Sequence, residues 1–354
     1  MIAVALSGAR PAAAHPVPFS YLDLRLRDDA VEGSLVVHVT DAANALAIEP
    51  PERLIDPDLA AQQSAALAGL LAARFTVSAD GHARAPQWFP VKVLTGRQSL
   101  KLPFRSALDG RPGRLTVSAD LFPYDPRHQT FVNIYEGDLP TQAILDHGRR
   151  EFEYFTGTRR GSFAVVQKFL PAGIHHILIG PDHVLFLVGL LLLGGTIRRL
   201  ALIVSAFTVA HSITLSLAAL NLVTPPARLI EPAIALSIIF VGADNLLVKT
   251  KAGARDVRAW IAFVFGFIHG FGFANVLREM DLPSRALGWS LFAFNLGVEA
   301  GQLLVVAVVA ASLAAVRSRN EAAGRQLAFA GSVVVMAAGA FWFIERVFFP
   351  GGMS

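Results

Sequence analysis

The chain has 354 residues, 53% hydrophobic and only 16% charged, with a mean hydropathy of +0.50, more apolar than an ordinary soluble domain. It holds no cysteine, which excludes disulfides, thiolate metal sites and thiol catalysis, so a bound metal would need His, Asp, Glu, Asn or backbone ligands. A net charge of +4 comes without a basic patch interleaved with aromatics, so nucleic acid is not an expected partner and the basic excess reads as topogenic.

Residues 1–14 end in Ala12-Ala13-Ala14, the small-residue pattern of a signal peptidase site, but the apolar stretch is short and no basic region precedes it. A degenerate signal peptide is expected there. Cleavage after Ala14 would expose His15, whose free amine and imidazole could chelate copper or nickel. From 15 to about 160 the sequence mixes charges, prolines and short alternating segments. Alternation around 21–27, 33–39, 99–104, 114–122 and 130–135 predicts half-buried strands, and 57–74 predicts a helix capped by Asp56 or Asp58. A sandwich-like, mainly β domain is expected from this pattern. His38, His82, His128 and His147 are scattered through it and read as surface or core residues.

Long apolar runs follow at about 169–195, 199–222, 227–248, 258–278, 286–315 and 327–349. Each is long enough to cross a hydrocarbon core of about 30 Å, so the second half is expected to be an all-α polytopic domain of six transmembrane helices, 169–349. The loops after spans 1, 3 and 5 carry Arg198, Arg199, Lys249, Lys251, Arg255, Arg258, Arg317, Arg319 and Arg325, against Arg228, Arg278, Arg285 and Arg346 on the other side. By the positive-inside rule the first set is cytoplasmic, which puts the N-terminal domain and the C-terminus outside, with the inner membrane of a bacterium as the expected location.

Polar groups inside these spans carry the chemistry, because each costs a few kcal/mol in lipid unless it is partnered. Span 1 reads His175-His176-Ile-Leu-Ile-Gly-Pro-Asp182-His183. On an unbroken helix, seven residues bring His183 to within about 20° of His176, and Asp182 to His175. Pro181 after Gly180 predicts a kink at this point. Span 2 adds His211 with Thr208 and Ser212, and span 4 adds His269 between Gly266 and Gly270, a small-xxx-small pair expected to serve helix packing. Span 5 aligns Asn295, Glu299 and Gln302 on one face, and span 3 opens with Glu231-Pro232 and closes with Asp244-Asn245. The candidate metal ligands are therefore His175, His176, Asp182, His183, His211, Glu231, His269, Asn295 and Glu299. Imidazole with carboxylate suits nickel, cobalt, zinc, copper or iron and argues against calcium or magnesium.

His-His-x5-Asp-His in span 1, Phe-Thr-x-Ala-His-Ser at 207–212, Phe-Gly-x-x-His-Gly-x-Gly-Phe at 265–273 and Phe-Asn-x-Gly-Val-Glu-x-Gly-Gln at 294–302 together resemble the HupE/UreJ family of hydrogenase and urease accessory membrane proteins. The resemblance covers about 170–305 and implies a permease for nickel or cobalt, with a metalloenzyme maturation or periplasmic metal-delivery partner. Two other readings compete with transport: a non-transporting metal sensor or maturation factor, and an intramembrane metalloenzyme. The enzyme is disfavoured because no His-Glu-x-x-His or similar catalytic signature appears.

Overall fold

The computed structural model describes residues 19–137, 140–247, 256–272 and 284–349. The expected signal segment and His15 lie outside the described residues, as do Lys249, Lys251, Arg255 and Arg278. The chain divides into two compact units, Met1–Arg160 and Gly161–Ser354.

In the first unit, alternation sets the strands. In β1 (Phe19–Leu26) Leu22, Leu24 and Leu26 point inward while Tyr21 and Arg25 point out. β1 pairs antiparallel with β2 (Ala30–His38) and parallel with β9 (Gln129–Tyr135). These join β7 (Ser99–Ala107), β10 (Pro140–Leu145) and the short β5 (Gln87–Trp88) and β6 (Lys92–Leu94) in a seven-stranded sheet. A second sheet holds β11 (Glu151–Phe155), β8 (Arg114–Ala119), β3 (Phe75–Ala79) and β4 (His82–Arg84), in that order. Leu22, Leu35, Phe104, Leu115, Val117 and Val132 share one buried core. Gly33 lies opposite Phe104, whose ring occupies the space that a Cβ would need. A short helix, α1 (Val39–Leu46), follows β2, and α2 (Pro57–Ala72) starts as predicted, with Asp56 accepting from the Asp58 amide at 2.9 Å.

His38 caps α1, and His82 and His147 are exposed. His128 is buried, its Nε2 3.0 Å from Ser20 Oγ and its Nδ1 4.0 Å from Asp41 Oδ2. Tyr124 donates to Asp41 at 3.1 Å. Although the order Ser–His–Asp resembles a hydrolase triad, Ser20 is completely buried in β1 and the histidine–aspartate distance is beyond a hydrogen bond.

The second unit is helical: α3 (Arg159–Ile179), α4 (Pro181–Leu191), α5 (Ile197–Ala219), α6 (Ala227–Leu247), α7 (Arg258–Gly272), α8 (Ser284–Arg319) and α9 (Glu321–Phe348). Among the described residues, five of these are long and apolar enough to cross a membrane: α3, α5, α6, α8 and α9. This differs from the expected six. The predicted first span, 169–195, is two helices broken at Gly180, and the predicted fourth span, 258–278, is described as helix only to Gly272. The break has a plain cause. Pro181 has no N–H for the carbonyl four residues back, and its fixed φ suits the first position of a new helix, with Asp182 favoured in that helix's first turn.

Glycines bring the helices together. A Cβ on Gly266 or Gly270 would lie 2.6 or 2.5 Å from the main-chain oxygen of Phe207 or His211, so α5 and α7 pack backbone to backbone, the role expected for that pair. Gly173 of α3 and Gly297 of α8 meet the partner helix's main chain in the same way. At the far end of α4, Arg258 donates to the Leu190 and Gly194 carbonyls at 2.8 and 2.9 Å, and Arg317 donates to Leu192 at 2.7 Å. These cations satisfy helix-terminal carbonyls where the dipole is negative.

Candidate metal centre

Four imidazoles from four helices meet where α3 gives way to α4. His176 ends α3, His183 opens α4, His211 lies in α5 and His269 in α7. Ring centroids are 4.6 Å apart for His176 and His183, 6.1 Å for His176 and His211, 6.3 Å for His183 and His211, and 5.2 Å for His183 and His269. One ring nitrogen from each of His176, His183 and His211 lies within 4.8 Å of the other two. His183, His211 and His269 are 8%, 0% and 1% exposed, which removes them from water as well as from lipid. Phe186 and Phe207 close on His269 at 5.0 and 5.2 Å, and Phe294 lies 5.4 Å from His176.

Hydrogen bonds fix which nitrogen of two rings carries the proton. Asn295 spends its amide N–H on the Leu291 carbonyl at 2.8 Å, so its oxygen faces His211 Nδ1 at 3.3 Å and that nitrogen donates. His269 Nδ1 lies 3.0 Å from the Phe265 carbonyl, an acceptor only, so it donates as well. In both rings Nε2 is left as a lone pair, the arrangement by which outer partners orient metal-ligating histidines. Among the described residues, the Nε2 atoms of His183, His211 and His269 are buried without a hydrogen-bond partner. Two orphaned lone pairs and an unpartnered His183 nitrogen would be costly in an apolar box unless a cation takes them up.

Gly180 makes the corner. A Cβ there would come 2.8 Å from His183 Nδ1 and 2.9 Å from the His176 carbonyl.

The other predicted residues are placed differently. His175 is exposed, because the helix break ends the seven-residue periodicity that was to align it with Asp182. Asp182 pairs instead with Arg346 of α9 at 2.8 Å, and its Oδ1 is buried without a partner. Glu231 is exposed, and its main-chain carbonyl accepts from Arg346 Nη1 at 3.1 Å. Asn295 touches His211 rather than standing among the clustered nitrogens. Glu299 accepts from Ser205 Oγ at 2.5 Å and lines a groove of about 720 Å³ between α5 and α8, with Thr208, Ser212, Ser216 and Asn295. Gln302, aligned with Glu299 in the sequence, accepts from Thr208 at 2.8 Å. Asn245 ties α6 to the Gly189 carbonyl at 2.7 Å. From the sequence Arg346 reads as a loop charge, yet it lies inside the last turn of the apolar helix α9, and an arginine so placed is itself a signal.

The family model described as HupE / UreJ protein matches residues 155–346, beyond the motif stretch at both ends and as far as Arg346. A search of curated proteins finds no match to this chain.

Proposed function

We propose, from the premise that the chain belongs to the HupE/UreJ family, that its helical unit carries a divalent transition metal ion across a bilayer through the cluster of His176, His183 and His211, with His269 beside His183. The family is associated with nickel or cobalt transport or an accessory role, and nickel is the first candidate cargo, then cobalt. The apolar helices and the family make this a multi-pass membrane protein. In this reading the apolar part of α3 and the whole of α4 make one broken crossing, α5, α6, α7, α8 and α9 make five more, and the β unit faces outward.

The observation that carries the reading is the set of buried Nε2 atoms on His183, His211 and His269 that have no hydrogen-bond partner among the described residues. Borderline metals bind imidazole well, and a nitrogen engaged by no protein donor is free to take up an ion. Neutral ligands also let a cargo ion leave, whereas a closed set of anionic ligands would trap it.

The test is nickel and cobalt binding by calorimetry together with uptake into proteoliposomes. Wild type should do both, and His183→Ala and His269→Ala should lose both while His82→Ala keeps both. Binding without uptake in wild type would move the protein to the sensor or maturation reading. Unchanged binding in both alanine variants would reduce the cluster to helix packing.

A further inference from the structure

The clustered imidazoles bring no negative charge, and a divalent ion among phenylalanines needs some. The carboxylate next along the chain is Asp182, immediately before His183, and one of its oxygens is already occupied. Arg346 Nη2 donates to Asp182 Oδ2 at 2.8 Å, with both side chains about one-fifth exposed (18% and 21%). Arg346 Nη1 donates to the Glu231 carbonyl at 3.1 Å, and the guanidinium carbon lies 5.8 Å from the centre of the Trp342 ring. The guanidinium thus bridges α4, α6 and α9, at the opposite end of α4 from the one capped by Arg258 and Arg317. A bidentate arginine–carboxylate pair would use both carboxylate oxygens. Here Asp182 Oδ1 is buried and has no donor among the described residues.

We propose that Arg346 is a tethered cation holding Asp182 until metal arrives. The incoming ion displaces the guanidinium, and Asp182 then supplies the negative charge that the imidazoles lack. Arg346 keeps its bond to the Glu231 carbonyl, so it can return when the metal leaves. Metal and Arg346 therefore compete for one carboxylate, which keeps the empty site neutralised and opposes a loaded site that cannot unload. This inference rests on the metal reading of the histidine cluster.

The test is nickel titration of the purified full-length protein by calorimetry, as wild type, Arg346→Gln, Arg346→Lys, Asp182→Asn and the Arg346→Gln/Asp182→Asn double variant. Removing the competitor should tighten binding about tenfold in Arg346→Gln, and Asp182→Asn should weaken it about tenfold. The double variant should match Asp182→Asn, because a competitor is irrelevant once its carboxylate is gone. Arg346→Lys keeps the charge but cannot span both acceptors, so binding should tighten severalfold, and this variant carries the test if Arg346→Gln does not fold. Equal or weaker binding in the folded Arg346 variants, or a double variant that keeps the gain, overturns the proposal. Wild type that binds neither nickel nor cobalt overturns the metal reading and the latch together, whereas wild type that binds while the Arg346 variants do not respond overturns the latch alone.

Discussion

His176 and His183 face each other with ring centroids 4.6 Å apart across a corner only one glycine wide. The corner depends on Gly180, because a methyl there would press on His183 Nδ1 and the His176 carbonyl at 2.8 and 2.9 Å. Gly180→Ala should therefore displace one imidazole and lower nickel affinity at least tenfold while the helices remain folded. Calorimetry beside a thermal melt checks this. Full affinity with an unchanged melt would show that the corner does not set the site.

A second prediction concerns the β unit alone. Burial pushes the His128 imidazole below its ordinary value, against the upward pull of Asp41, Asp125 and Asp120. The unfolded chain therefore takes up a proton near pH 6.5 that folded His128 refuses, and the stability contributed by His128 is present above that pH and lost as pH falls below it. Asp41, raised by burial against the lowering effects of His128 and Tyr124, acts in the opposite sense between its ordinary value near 4 and its raised one. Acidification from neutrality meets the histidine window first. Hydrogen exchange of β1 and β9 in the full-length protein, corrected for intrinsic rate, should quicken between pH 7 and 5.5. His128→Gln should flatten that dependence, and an equal pH response in the variant would acquit His128.

Much of this was legible in the sequence, and the failures have physical causes. The alternation in 21–27 and 130–135 gave β1 and β9, because one face of each strand is buried. The strands β4, β5 and β6, of two or three residues, are too short to show a period and exist through pairing with β3 or β7. His176 and His183 meet as expected, but through a corner rather than along one helix face, and the same corner leaves His175 exposed. Helical periodicity is a local rule and stops at Pro181. Partners more than 90 residues away, Ser205 for Glu299 and Arg346 for Asp182, leave no local trace.

Orientation is a third prediction. Arg258 and Arg317 mark the end of α4 where Arg199 also pairs with Asp256 at 2.6 Å. By the positive-inside rule that end is expected to be cytoplasmic. A phosphatase fused after residue 150 should be active, and one fused within the loop 249–258 should be inactive. The reverse pattern would invert the topology and place the Arg346 end of the unit on the cytoplasmic side.

Glu299 separates a ligand from a path residue. Its Oε1 is held by Ser205, its Oε2 has no partner, and it shares the groove with Asn295, whose side-chain oxygen faces His211. Like Asp182, it stands outside the ligand atoms that cluster within 4.8 Å, but it is not next in the chain to one of those histidines as Asp182 is to His183. Glu299→Gln keeps the shape and removes the charge, so nickel affinity should stay within about threefold of wild type, while uptake into vesicles should fall at least tenfold if the groove lets cations approach His211. Asp182→Asn, next to His183, should instead weaken binding and uptake together. The contrast is read by running calorimetry and vesicle uptake on the same preparations of both variants. Loss of affinity in Glu299→Gln as large as in His183→Ala would mean that the carboxylate reaches the metal itself, with the Ser205 bond broken when the ion binds.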